Sequence, residues 1–282
     1  MSTTARPSTP RLTARTFLVH GLVAGLVGGV LAFVVAFAVG GPPIDDAIAL
    51  EESAAAAPAD AGHAHGTEEE HDHGAASHSY GSDEEEGGIS RGQQAGPGLL
   101  TATVLFGLVA GGVAGIASAF AVGRLGGLRP VASTAVVVGL AWVATVLVPW
   151  LKYPPNPPAV GSGDTIGERT ALYFGFLAVS VLAVVAAVLL ARGLLARGAW
   201  VAVVAASAFF VVVVGLAALV MAPIDEVPDS FPANTLFSFR VGSLATSTAL
   251  WAGVALALTG LVARTWRGHQ ADEERRARAA AL

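Results

Sequence analysis

Residues 17–46 read FLVHGLVAGLVGGVLAFVVAFAVGGPPIDD, and the first twenty-three of them, 17–39, contain no Asp, Glu, Lys or Arg. Coiled as a helix at ~1.5 Å per residue, that run is about 35 Å long, enough to cross a hydrocarbon core of about 30 Å. Five more stretches repeat the pattern, at 98–122, 131–151, 171–191, 199–222 and 243–263. A backbone in lipid must satisfy its own hydrogen bonds, so each of these stretches is expected to be a helix. The predicted fold class is therefore all-α, a polytopic integral membrane protein with six transmembrane helices. The composition agrees: 54% of residues are hydrophobic and the mean hydropathy is +0.63, too apolar for an ordinary soluble domain.

The charges between the spans set an orientation. Six spans put both termini on one side. That side holds twelve of the 16 basic residues, among them Arg124, Arg129, Arg192, Arg197 and the tail arginines; the other holds Arg91, Lys152, Arg169 and Arg240. Basic residues concentrate on the cytoplasmic side, so both termini are expected to face the cytoplasm (N-in, C-in). Of 21 acidic residues, 18 then fall outside, all but Asp272, Glu273 and Glu274. Ala36-Phe37-Ala38 has the look of a signal-peptide cleavage site, but the apolar run is longer than a signal peptide's core of about 7–15 residues. The expected domain plan is a basic cytoplasmic tail at 1–16, a membrane domain at 17–263 and a charged cytoplasmic tail at 264–282. The first outer loop carries an aperiodic His- and acid-rich tract at 54–95, expected to be disordered.

The first two spans are rich in glycine: Gly21, Gly25, Gly28 and Gly29 in one, Gly107, Gly111, Gly112 and Gly115 in the other. Small residues let helix backbones approach each other in lipid. GLVAG occurs at 21–25 and again at 107–111, and AFAVG at 36–40 and 119–123. These echoes are readable as an inverted repeat of the transporter kind or as coincidence in an Ala/Gly/Val-rich chain.

Three sets of residues carry chemistry. His63, His65, His71, His73 and His78 lie in the outer tract beside Asp72 and other acids. Imidazole with carboxylate suits borderline divalent ions such as zinc, cobalt, nickel and copper, with no preference for cobalt or nickel over copper from affinity order alone, and the acidic surround attracts cations. The plain alternative is a solvated acidic linker. The second set follows from a repeated exit motif: Pro43-Ile44-Asp45-Asp46 after the first span and Pro223-Ile224-Asp225-Glu226 after the fifth. Asp45, Asp46, Glu51, Asp225 and Glu226 are candidates for the outer mouth of a transport path, against the reading of ordinary helix-flanking acids. Third, His20 lies inside the first span near its cytoplasmic end, a functional candidate by position or a snorkelling side chain. Lys152, Arg169 and Arg240 are the basic residues available to pair with outer carboxylates. Ser180, Thr145, Ser207 and Ser243 read as packing hydroxyls.

The chain has no cysteine, which excludes disulfides and thiolate metal sites. It contains no P-loop, HExxH or GxSxG signature, so no enzyme class is expected. The spans also lack the buried acid ladder of a proton-driven pump.

Several loop motifs are unusual in combination. Pro42-Pro43-Ile44-Asp45-Asp46-Ala47-Ile48-Ala49-Leu50-Glu51 follows the glycine-rich first span. Pro149-Trp150-Leu151-Lys152-Tyr153-Pro154-Pro155-Asn156-Pro157-Pro158 follows the third, with Thr165-Ile166-Gly167 and Arg169-Thr170 before Tyr173. Phe239-Arg240 with Ser243-Leu244 precedes the last. Together they resemble the CbtA family, proposed membrane subunits of a bacterial cobalt transporter, over about 17–263 apart from the His-rich tract. The resemblance implies a multi-pass protein of the bacterial cytoplasmic membrane that carries Co2+ (or Ni2+ or Zn2+) as loosely bound cargo, with no tightly bound cofactor. It also implies a small single-span, histidine-rich CbtB-like partner. The expected function is metal uptake in which the His/acid tract captures the ion and the outer carboxylates receive it. The alternative is a non-transporting membrane metal sensor or scaffold whose loop binds cations.

Overall fold

The computed structural model describes residues 12–56, 90–158 and 160–281. Six helices in it are long and apolar enough to cross a membrane: α1 (Ala14–Ser53), α2 (Arg91–Ala121), α3 (Pro130–Lys152), α4 (Gly163–Arg197), α5 (Ala199–Val220) and α6 (Ala233–Ala280). Among the described residues there is no strand. The chain is an all-α protein with six membrane-length helices. Below, the end of the bundle that carries Leu12 and Ala281 is the terminal face and the opposite end the distal face.

Five of the six helices are longer than their apolar stretches, while α5 stops two residues short of its own. α2 begins at Arg91, inside the tract expected to lack regular structure, because Ser90 and Gln93 form a capping box. The Ser90 hydroxyl accepts from the Gln93 amide at 3.3 Å, and the Gln93 side chain accepts from the Ser90 amide at 3.2 Å. α1 passes through Pro42 and Pro43 without breaking. Proline lacks an N–H and crowds the carbonyl four residues back. The strain is relieved by a wider π-turn, which lengthens the hydrogen-bonded loop by one residue. Such turns precede the prolines at Ala36–Gly40 in α1, enclose Pro97 at Gln94–Gly98 in α2, and precede Pro149 at Val143–Leu147 in α3. All three lie toward the distal ends of their helices.

α1 is the central element, packed against α2 on one side and α6 on another, while α3 joins α6 and α2. The α1–α2 contact is backbone to backbone. The two GLVAG segments face each other antiparallel: a Cβ added at Gly21 would run into the Gly111 carbonyl, and one at Gly25 into the Gly107 carbonyl. The close-packing role expected of these glycines is thus realised. Gly28 and Gly253 do the same between α1 and α6, where a Cβ on Gly253 would sit 2.7 Å from the Gly28 Cα. Phe17, Ala114, Val138, Leu258 and Val262 fill the core of this four-helix unit. α5 packs on α4, and this pair reaches the rest chiefly through α3 and the distal loops, around Val148, Tyr153 and Phe176. The Tyr153 and Phe176 rings meet edge to face at 5.7 Å.

Candidate functional site

The distal loops form a cap built from the motifs that stood out in the sequence. The segment after α3 is not helical, because four prolines in five positions, Pro154 to Pro158, remove nearly every amide donor a turn would need. Its side chains and those around it bond outward instead. Lys152 Nζ donates to the Met221 carbonyl at 3.1 Å, and the Tyr153 hydroxyl to the Ala222 carbonyl at 2.7 Å. These two bonds fasten the α3–α4 loop to the α5–α6 loop. Burial pushes the Tyr153 hydroxyl's pKa above its usual value, so it holds its proton as a donor. Arg240, on the first turns of α6, donates to Asn156 Oδ1 at 3.0 Å and to the Pro155 carbonyl at 3.4 Å. Trp150 Nε1 donates back to the Arg240 carbonyl at 3.2 Å.

An ion pair closes the cap. Arg169 Nη1 lies 3.1 Å from Glu226 Oε2, with both side chains mostly buried. Arg169 Nη2 also donates to the Ser162 carbonyl at 3.0 Å, and the Ser162 amide to Glu226 Oε2 at 3.4 Å. Gly161 makes this possible. Its φ is +108°, a region side chains disfavour, and a Cβ there would fall 2.8 Å from Glu226 Oε2 and collide with the Arg169 guanidinium.

Beneath the cap lies a cavity of about 1210 Å³ between α2, α3, α4 and α6. Its walls are mostly aliphatic and aromatic. Arg169, Arg240, Asn156 and Tyr153 border its distal end, and Thr145, Ser243, Thr246 and Ser247 add hydroxyls. Thr145 lies in the α3 π-turn and donates to the Ala141 carbonyl at 2.8 Å.

The sequence-derived candidates are distributed as follows. Glu226 is half-buried in the cap with Arg169, while Asp225 is exposed beside it. Asp45, Asp46 and Glu51 are exposed on the distal end of α1. Asp45 pairs with Arg91 at the start of α2. Of the three basic candidates, Arg169 meets a carboxylate, whereas Lys152 and Arg240 bond to carbonyl groups. His20 is half-buried near the terminal end of α1, and its Nδ1 is buried with no hydrogen-bond partner. His63, His65, His71, Asp72, His73 and His78 lie outside the described residues. Among the described residues, no three His, Asp or Glu side chains gather closely enough to hold a metal ion.

Sequence reasoning gave no site role to Arg91, counted only among the outer basic residues, to Asn156, quoted only within its motif, or to Gly161 and Ser162. Arg91 carried a signal, as the lone basic residue of an acidic tract. Gly161, in Gly161-Ser162-Gly163, had only an ordinary turn signature.

No curated protein and no solved structure matches the chain. Residues 14–263, which take in α1 to α5, α6 as far as residue 263 and the distal cap, match the family described as a probable cobalt transporter subunit. Of the motifs that resembled that family, those after the third span and before the last interlock at the distal cap, and the chain belongs to the CbtA family.

Proposed function

We propose that this protein is the membrane component of a divalent transition-metal uptake system with cobalt as its cargo, oriented with both termini in the cytoplasm of a bacterial cell. The distal face is then the outer one. The His/acid tract, with His63, His65, His71, Asp72, His73 and His78, captures the ion, and Asp45, Asp46, Glu51, Asp225 and Glu226 receive it. His20 lies where the ion leaves toward the cytoplasm. A small single-span, histidine-rich CbtB-like subunit is the proposed partner. Membership of the CbtA family is the observation that carries this reading. The exposed carboxylates of both Pro-Ile-Asp motifs on the distal face support it further. Oxygen ligands without thiolates suit a site that must release its ion rather than trap it.

The test is uptake of labelled cobalt, with nickel and zinc as competitors, in cells expressing the chain with and without a companion subunit. Asp45→Asn or Asp225→Asn should abolish uptake while expression is unchanged. Deleting 60–80 should only raise the metal concentration required. Normal uptake in both Asn variants with none in the deletion moves the essential site into the histidine tract. No uptake by the wild type with its companion leaves the sensor or scaffold reading in its place.

A further inference from the structure

The cavity beneath the cap opens sideways. Phe106 and Val113 on α2 line it, yet are 64% and 63% exposed; Val185 on α4 lines it at 52%. It is therefore a groove facing the membrane between the four-helix unit and the α4–α5 pair. Its lining follows α4 from Arg169 to Leu189, about 30 Å at ~1.5 Å per residue, which exceeds the depth of one leaflet. Apolar space of this kind draws in apolar ligand rather than water. In a bilayer, the material at hand is hydrocarbon chain.

The polar end of the groove decides what kind of molecule the chain belongs to. Arg240 lies on the rim with two neutral partners, Asn156 Oδ1 and the Pro155 carbonyl. Among the described residues, no carboxylate lies within ion-pair distance of it. Arg169 shares its charge with Glu226, but its Nε is buried without any acceptor. The rim therefore carries one guanidinium without a carboxylate partner, Arg240, and an unsatisfied donor on Arg169, directly above an apolar slot. Guanidinium groups bind phosphate oxygens through short, charge-assisted hydrogen bonds, so a headgroup with net negative charge complements Arg240. Trp150 and Tyr153 stand at the same level, as interfacial aromatic residues do beside headgroups.

We propose that this groove is a site for one anionic phospholipid, with its phosphate held by Arg240 and Arg169 and its acyl chains laid between α2 and α4. The lipid ties the α4–α5 pair to the rest of the bundle where direct helix contacts are sparse. Neither arginine belongs to the proposed ion path, and Arg240 has no contact with it; Arg169 touches that path through its ion pair with Glu226.

The purified full chain, in detergent with equimolar dioleoyl phosphatidylglycerol and dioleoyl phosphatidylcholine, tests this by native mass spectrometry. One retained lipid is expected, with the glycerol form favoured at least roughly fivefold, the ratio equivalent to about 1 kcal/mol from a basic residue near a headgroup. Arg240→Gln should bring that ratio close to one, and Arg240→Lys should keep part of it. Val113→Trp, on the exposed wall, should lower retention of both lipids without touching the rim. Equal retention of the two lipids by the wild type overturns the proposal, whether or not Arg240→Gln folds. So does an undiminished preference in a folded Arg240→Gln protein, or imaging that shows a protein helix seated in the groove.

Discussion

At the scale of single residues, the backbone contacts between α1 and α2 leave no room for a side chain. Gly25→Ala would drive a methyl into the Gly107 carbonyl, and overpacking of this kind costs about 1–3 kcal/mol. Gly139 has nothing within 4 Å of an added Cβ, so Gly139→Ala should be neutral or slightly stabilising, by up to about 1 kcal/mol from helix propensity. Thermal unfolding of the two variants in detergent should move the midpoint in opposite directions, or move it only for Gly25→Ala. Tyr153 offers a pH-dependent test. Its folded-state pKa is raised by burial, so the fold favours the protonated hydroxyl. That stability is fully present below the unfolded value of about 10 and is lost as pH rises through the folded value. Tyr153→Phe should lose about 1 kcal/mol at neutral pH with the bond to Ala222. Its unfolding midpoint should also fall less steeply than the wild type's above about pH 10. Equal slopes in that range would assign the alkaline loss to other groups.

At the scale of elements, the apolar runs were legible because lipid requires continuous helix, but their ends were not. The ends depend on local bonds that hydropathy does not register. Ser90-Arg91-Gly92-Gln93 held a readable capping signal, hidden by the acidic tract before it. Replacing Ser90 with Ala should cost about 0.5–2 kcal/mol of local stability, seen as faster hydrogen exchange in the first turn of α2 with the exchange of 105–115 unchanged. The glycine stripes were legible as contact surfaces, and both GLVAG copies proved to be two halves of one contact. The cap was legible only as a set of odd motifs. Nothing in the spacing of Lys152, Ser162, Glu226 and Arg240 reveals that they tie the same loops together, because two of the bonds run from side chains to carbonyls and one from an amide to a carboxylate, all over long sequence separations.

At the scale of the whole molecule, the count of six helices followed from the sequence, while the groove between two packed units did not. It arises from how α4 and α5 lean on α3, which no single helix encodes. The orientation argued from arginine placement has a direct check. The chain has no native cysteine, so single cysteines can be placed at will. Gly92 and Gly268 both have open space around an added Cβ. In intact cells, an impermeant maleimide should label Gly92→Cys at once and Gly268→Cys only after the membrane is breached. The reverse pattern would turn the protein over in the membrane and assign the distal cap to the cytoplasm.

α6 has one more use. It runs 48 residues without a break, about 72 Å, and its last part stands clear of the membrane-length section. Such a rod is a ready-made mast for imaging a small membrane protein. A soluble helical domain spliced in phase after Ala280 would be carried rigidly, and each residue added to the joint would turn it by about 100° and raise it by ~1.5 Å. Particle alignment by microscopy then acquires an asymmetric landmark whose bearing can be dialled in from the sequence.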